Sequence, residues 1–230
     1  MRDMQGNLMG DYCVDIVMCI DLTRSMRNYI EEVKRKAIVF HELFIEAMDD
    51  VGHEVAQLRI RVIGFRDFGY GAEPIVDSGR FFMLPDENKE FERFVLGLQV
   101  DTGGDIPESS LEAIALAMKS DWTNEGSKLR HVVLMFTDAP AHPLGFGSDS
   151  ARYPKGMPSD LAELGSWWQC GVPNGTYDKN AGRLVVFAPE AYPWNEMRGW
   201  NRYWHEPSKA GAGLDGLALN DVFDVLVGSL

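Results

Sequence analysis

The chain has 230 residues, a length that suits one large domain, or one domain with an insertion, better than two full-sized domains. Its 22 Lys and Arg stand against 35 Asp and Glu, and the formal net charge of −13 repels a phosphate backbone, which disfavours generic nucleic-acid or anionic-membrane binding. A hydrophobic share of 45% with 25% charged residues is the balance of a chain that buries a core, and no apolar run approaches the ~18–20 residues of a membrane span. The first ten residues lack the apolar stretch of a secretory signal, and Cys13, Cys19 and Cys170 are an odd number without metal-type spacing. The expectation is a soluble cytoplasmic protein with reduced thiols and no membrane insertion.

Residues 1–11 read as an N-terminal extension, and residues 12–230 as one domain. Tyr12 to Ile20 is β-rich and almost continuously apolar, as in a parallel strand covered on both faces. A long helix follows, with Met26, Ile30, Val33, Ala37, Phe40, Phe44 and Ala47 recurring at steps of three and four. The segment Leu58 to Phe68 alternates apolar and charged residues as a half-covered strand does, and Phe81 to Leu84 reads as a short neighbour. Phe91, Phe94, Val95 and Leu98 mark a short helix, and a second is expected from Pro107, with Leu111, Ile114, Ala115 and Met118 as its buried stripe. His131 to Phe136 and Leu184 to Ala188 are two more apolar strands, and Leu219 to Leu230 closes the chain with an amphipathic helix. From about 140 to 182 the chain is rich in Gly, Pro, Ser and Asp, with only Ser159 to Gln169 helical, and reads as a long loop insertion.

Alternating strands and helices with apolar strands predict an α/β fold: an open, mostly parallel, doubly wound, Rossmann-like sheet with helices on both faces. Ligands of such sheets lie outside the carboxyl ends of the strands. There this chain places hard oxygen donors: Asp21, Thr23 and Ser25 in DLTRS, Thr102 and Asp105 in DTGGD, and Thr137 with Asp138 after the central strand. Carboxylates and hydroxyls without His or Cys suit Mg²⁺, Mn²⁺ or Ca²⁺ and not zinc.

These motifs resemble the von Willebrand factor A domain, whose metal-ion-dependent adhesion site follows Asp-x-Ser-x-Ser on the first strand-to-helix loop. DLTRS, Asp21 to Ser25, is the counterpart here, with TGGD and TDA in the family's order. The wording DLTRSM, GGDIPES and DAPAH is similar to the subgroup of hemicentin-type and alpha-kinase-associated A domains, and the resemblance covers residues 12 to 230. It implies a metal-dependent protein-binding module without catalysis, with Asp21, Thr23, Ser25, Thr102, Asp105 and Asp138 at a divalent cation, most simply Mg²⁺, and a protein partner. The family commonly has a threonine directly after the paired glycines, where this chain has Asp105. Three carboxylates against a divalent cation leave a formal −1, which favours metal retention and a neutral partner donor over an acidic one.

Two other readings compete. Strand-end acids also serve Mg²⁺- or Mn²⁺-dependent phosphoesterases and nucleases, although Thr23 stands where a haloacid dehalogenase would have its second acid and the net charge opposes a nuclease. An A domain with a vacant site would use Asp21, Thr23 and Ser25 only to cap the helix. Asp67 reads as a solvated turn residue, Glu108 as part of a helix start, and His142 as a hydrogen-bonded loop residue. The concentration of Trp167, Trp168, Trp194, Trp200 and Trp204 with Tyr177, Tyr192 and Tyr203 late in the chain suits either core or a partner surface.

Overall fold

A computed structural model describes residues 11–68, 74–100, 107–214 and 217–230. Four parallel strands form its centre: β1 (Tyr12–Asp21), β5 (Lys128–Phe136), β6 (Gly182–Pro189) and β7 (Tyr203–Ser208), with β2 (Val55–Phe65) parallel to β1 on the other side. Two short strands, β3 (Ile75–Asp77) and β4 (Phe82–Leu84), pair antiparallel with β2, so the spatial order is β3-β2-β1-β5-β6-β7 with β4 also on β2. The expected sheet is therefore present and mostly parallel, with one antiparallel edge.

The period of two along β1 divides the interior. Val14, Ile16, Met18 and Ile20 face one core, packed by α1 (Arg27–Lys36), α2 (Phe40–Asp50), α3 (Asn88–Leu96) and α6 (Leu219–Ser229). Val17 and Cys19 face the other, packed by α4 (Ser110–Met118) and α5 (Leu161–Cys170). The first core is built from phenylalanines: Phe40 lies 5.0 Å from Phe223 and 6.0 Å from Phe91, so α2, α3 and α6 meet at one ring. Each such fully buried ring contributes roughly 1.5–3 kcal/mol from its removal from water.

Several expectations need correction. The long first helix is interrupted by a 3-10 turn over Ala37–Val39, which lets Phe40 start α2 against the sheet. The helix expected from Pro107 begins at Ser110. Glu108 is instead held in a bridge to Ala141: its N–H donates to the Pro140 carbonyl (3.1 Å) and its carbonyl accepts from the His142 N–H (2.9 Å). Strand β7 was not foreseen: its residues alternate weakly, and only pairing with the apolar β6 holds them extended. Trp167, Trp168, Tyr177 and Trp194 are buried in the second core, whereas Tyr192, Trp200, Tyr203 and Trp204 are half-buried. No helix among the described residues is long and apolar enough to cross a membrane.

Candidate functional site

The parallel register explains how separated residues meet. Ile20 pairs with Phe136, so the next residues, Asp21 and Thr137, emerge side by side at the carboxyl edge of β1 and β5. Thr137 Oγ1 donates to Asp21 Oδ2 at 2.7 Å. The chain then turns: the Thr23 N–H (2.8 Å) and Thr23 Oγ1 (2.6 Å) both donate to Asp21 Oδ1. Ser25 Oγ lies 3.4 Å from Thr23 Oγ1 and donates to Asp138 Oδ1 at 2.9 Å. Thr137, Asp21, Thr23, Ser25 and Asp138 thus form one continuous run of oxygens.

Simple helix capping does not account for these side chains. At Thr23, the cap of the 3-10 turn Arg24–Met26, the side chain makes no cap hydrogen bond and turns to Asp21 instead. Asp138 is held from the far side, where the Gly213 N–H donates to Oδ2 (2.7 Å) and the Gly211 N–H to its carbonyl (2.8 Å). Gly213 has φ +64, and a Cβ there would collide with the Ser25 carbonyl oxygen, so only glycine brings this turn so close.

Asp21 and Asp138 are 0% and 1% exposed, and among the described residues neither has an ion-pair partner. Burial pushes the Asp21 carboxyl up to about 6; the hydrogen bonds from Thr23 and Thr137 oppose this, and the charge of Asp138 adds to it. Two buried carboxylates linked through the hydroxyls of Thr23 and Ser25, with the Thr137 hydroxyl on Asp21, form a site with surplus negative charge and hard oxygen donors, the chemistry that suits Mg²⁺, Mn²⁺ or Ca²⁺. Thr102 and Asp105 lie outside the described residues. Among the described residues no group of three or more His, Cys, Asp or Glu side chains is gathered as for a metal ion.

Beside this run lies a second polar cluster that the sequence reading did not anticipate. Asp67 is 1% exposed and not a solvated turn residue: Ser109 Oγ lies 3.5 Å from its Oδ1 and His142 Nε2 3.4 Å from its Oδ2. His142 in turn stacks on Phe146 with ring centroids 3.6 Å apart. Glu112, also fully buried, accepts from Tyr153 Oη (2.9 Å) and the Gly145 N–H (3.2 Å), and burial raises its pKa. The cluster ties the loop after β5 to the start of α4. A buried Glu112 between Leu111 and Ala113 on an otherwise apolar helix was the available signal.

Solved structures share this architecture. A von Willebrand factor type A protein from Catenulispora acidiphila superposes with a TM-score of 0.52 over 94% of this chain and 42% of its own, at 12% identity. The pilus adhesin SpaC of Lactobacillus rhamnosus GG gives 0.55 over 96% of this chain and 31% of its own, at 9% identity. The fold is that of the von Willebrand factor type A domain. In sequence, the alpha-protein kinase vwkA of Dictyostelium discoideum is 28% identical over 151 residues, which are 65% of this chain and 22% of the kinase. No protein-family model matches the chain. The chain spans about a fifth of that kinase and less than half of either structural relative.

Proposed function

We propose that this A-type domain is a non-enzymatic protein-binding module whose binding face is organised by a divalent cation, most simply Mg²⁺. Asp21, Thr23, Ser25 and Asp138 would hold the ion, with Thr102 and Asp105 completing the set; Glu108, three residues after Asp105, is tied to Pro140, two residues after Asp138. The observation that carries the reading is the run of hydroxyls and paired carboxylates at the strand ends, with Asp21 and Asp138 buried without a counter-charge among the described residues. When bound, the cation neutralises these charges and offers an open coordination position to a donor of the partner. A third carboxylate at Asp105 makes that donor neutral in preference to acidic.

A binding role is supported over catalysis because the hydroxyls of Thr23, Ser25 and Thr137 donate to the carboxylates proposed to hold the ion, and among the described residues none of them hydrogen-bonds a histidine. The domain would act in the cytoplasm as one component of a larger assembly, which is supported by the kinase relative, most of whose length lies outside the matched stretch. The test is thermal unfolding of chelator-stripped protein with and without millimolar Mg²⁺, Mn²⁺ and Ca²⁺, for wild type and Asp21→Ala. A cation that binds only the folded state at a hundredfold excess over Kd adds about 2.7 kcal/mol. Stabilisation of wild type alone is the expected result. Identical curves with and without metal would leave the site a structural hydrogen-bond network, and turnover of a generic phosphate ester with Mn²⁺ would establish the phosphoesterase reading instead.

A further inference from the structure

Helix α6 packs on α2 and β6, and beside it β7 is the outermost strand of the sheet. The period of two along β7 sends Tyr203 to the second core and Trp204, Glu206 and Ser208 to the face that carries α6. Of these three only Trp204 is apolar, so the packing of the first core stops short of the end of β7. A cleft of about 320 Å³ results, bounded by the ends of β6 and β7, the turn over residues 209–214 and the first two turns of α6. Native interiors hold few voids larger than a water molecule, whereas sites for small ligands begin near about 300 Å³.

The residues around this cleft divide by exposure. Phe187 and Leu214 are buried and Leu217 and Val225 half-buried, which gives it an apolar floor. Glu206, Lys209 and Asp221 are exposed and form its rim. Glu206 stands on β7 and Asp221 on the first turn of α6, so carboxylates come from two different walls, and with Lys209 the rim has a formal charge of −1. Neither carboxylate is in an ion pair among the described residues, and Asp221 Oδ2 accepts the Ala218 N–H at 3.1 Å. Ser208 also lines the cleft, and its Oγ is buried with no hydrogen-bond partner among the described residues. Such an orphaned polar atom costs stability until a partner reaches it.

We propose that this cleft is a binding site for a small organic ammonium ion, whose apolar body lies on Phe187, Leu214, Leu217 and Val225 and whose head group is held by Glu206, Asp221 and the Ser208 hydroxyl. An ammonium offers three N–H donors and no acceptor, which matches two carboxylates and a hydroxyl oxygen. A neutral ligand of the same shape gains only the apolar contact, and an anionic one is opposed by the surplus negative charge of the rim. The site shares no residue with the proposed cation site at Asp21 and Asp138, so either can exist without the other.

The test is a titration of the isotope-labelled full chain, in chelator at pH 7, with benzylamine, benzyl alcohol and benzoate, which are cationic, neutral and anionic ligands of one shape, followed by amide chemical shifts. Saturable benzylamine binding is expected, with shifts centred on Phe187, Ser208, Leu214 and Val225 and an affinity about fivefold above that for the other two. The double variant Glu206→Gln with Asp221→Asn, whose new amide oxygen still accepts the Ala218 N–H, should lose that preference. Val225→Phe fills the cleft and should lose benzylamine binding, and Glu90→Gln, at an exposed carboxylate on α3, should change nothing, with circular dichroism confirming that every variant is folded. Absence of saturable binding overturns the proposal, as does equal affinity for benzylamine and benzyl alcohol or a preference that survives the double variant. So do shifts centred on Asp21 and Asp138, because the amine would then be a counter-ion of the strand-end carboxylates.

Discussion

Asp21 holds a charge in a place where water cannot reach it, and the three donors around it only partly offset the burial. Asp21→Asn removes that charge, keeps the acceptor for Thr23 and turns an amide donor toward Thr137 Oγ1. Urea unfolding is expected to show metal-free Asp21→Asn at least as stable as wild type, with stabilisation by Mg²⁺ abolished. His131 gives a pH dependence with a definite sign. Its Nδ1 accepts the Asp178 N–H at 3.1 Å, so Nε2, 2.8 Å from the Thr123 carbonyl, carries the proton and the ring is neutral. Burial lowers its pKa, so the unfolded chain binds the proton more readily and stability from this group falls as pH drops below about 6.5, the unfolded value. Glu112 acts in the other direction. Its raised carboxyl pKa makes the folded state the better proton binder, and stability from it falls as pH rises through the ordinary carboxylate range to the raised folded value. Comparing urea midpoints at pH 5.5 and 7.5 separates the two: His131→Gln should flatten the loss on the acid side, and Glu112→Gln should raise the midpoint at pH 7.5.

Elements are held by a few large contacts. Helix α6 docks through Phe223, whose ring is 5.0 Å from Phe40 and 6.4 Å from Phe44. Phe223→Ala leaves a cavity between α2 and α6 and is expected to cost about 3–5 kcal/mol by urea unfolding. The turn Lys209–Leu214, which precedes α6, bears on the candidate site through Gly213. Gly213→Ala meets both a left-handed φ and the Ser25 carbonyl, so a stability loss above about 1 kcal/mol is expected. Because the same turn orients Asp138, Mg²⁺ should also stabilise that variant less than wild type in thermal unfolding; an unchanged metal response would separate the turn from the site.

At the scale of the whole molecule, one sheet carries two cores with different side chains. Trp122, Trp167, Trp168 and Trp194 are all on the α4 and α5 face, whereas the α1, α2, α3 and α6 face is packed by phenylalanines. Tryptophan fluorescence therefore reports chiefly one face, and far-ultraviolet circular dichroism reports both. Because each central strand contributes to both cores through alternate residues, the two signals are expected to give coincident urea transitions. A fluorescence transition that precedes the loss of helix would show that the two faces unfold separately.

The sequence by itself determined the strand-helix alternation, the apolar central strands and the donors at their carboxyl ends, because these depend on local periodicity and on residue chemistry at strand ends. DLTRS and TDA were legible for that reason, and the fold places Asp21, Thr23, Ser25 and Asp138 in one hydrogen-bonded run. Tertiary structure alone decided that Thr137 bonds Asp21, since their proximity follows from the β1–β5 register and not from spacing along the chain. It also decided that β7 is a strand, that Asp67 is buried, and that the late tryptophans fill a core. Each of these depends on what packs against the residue, a long-range fact that no local pattern carries.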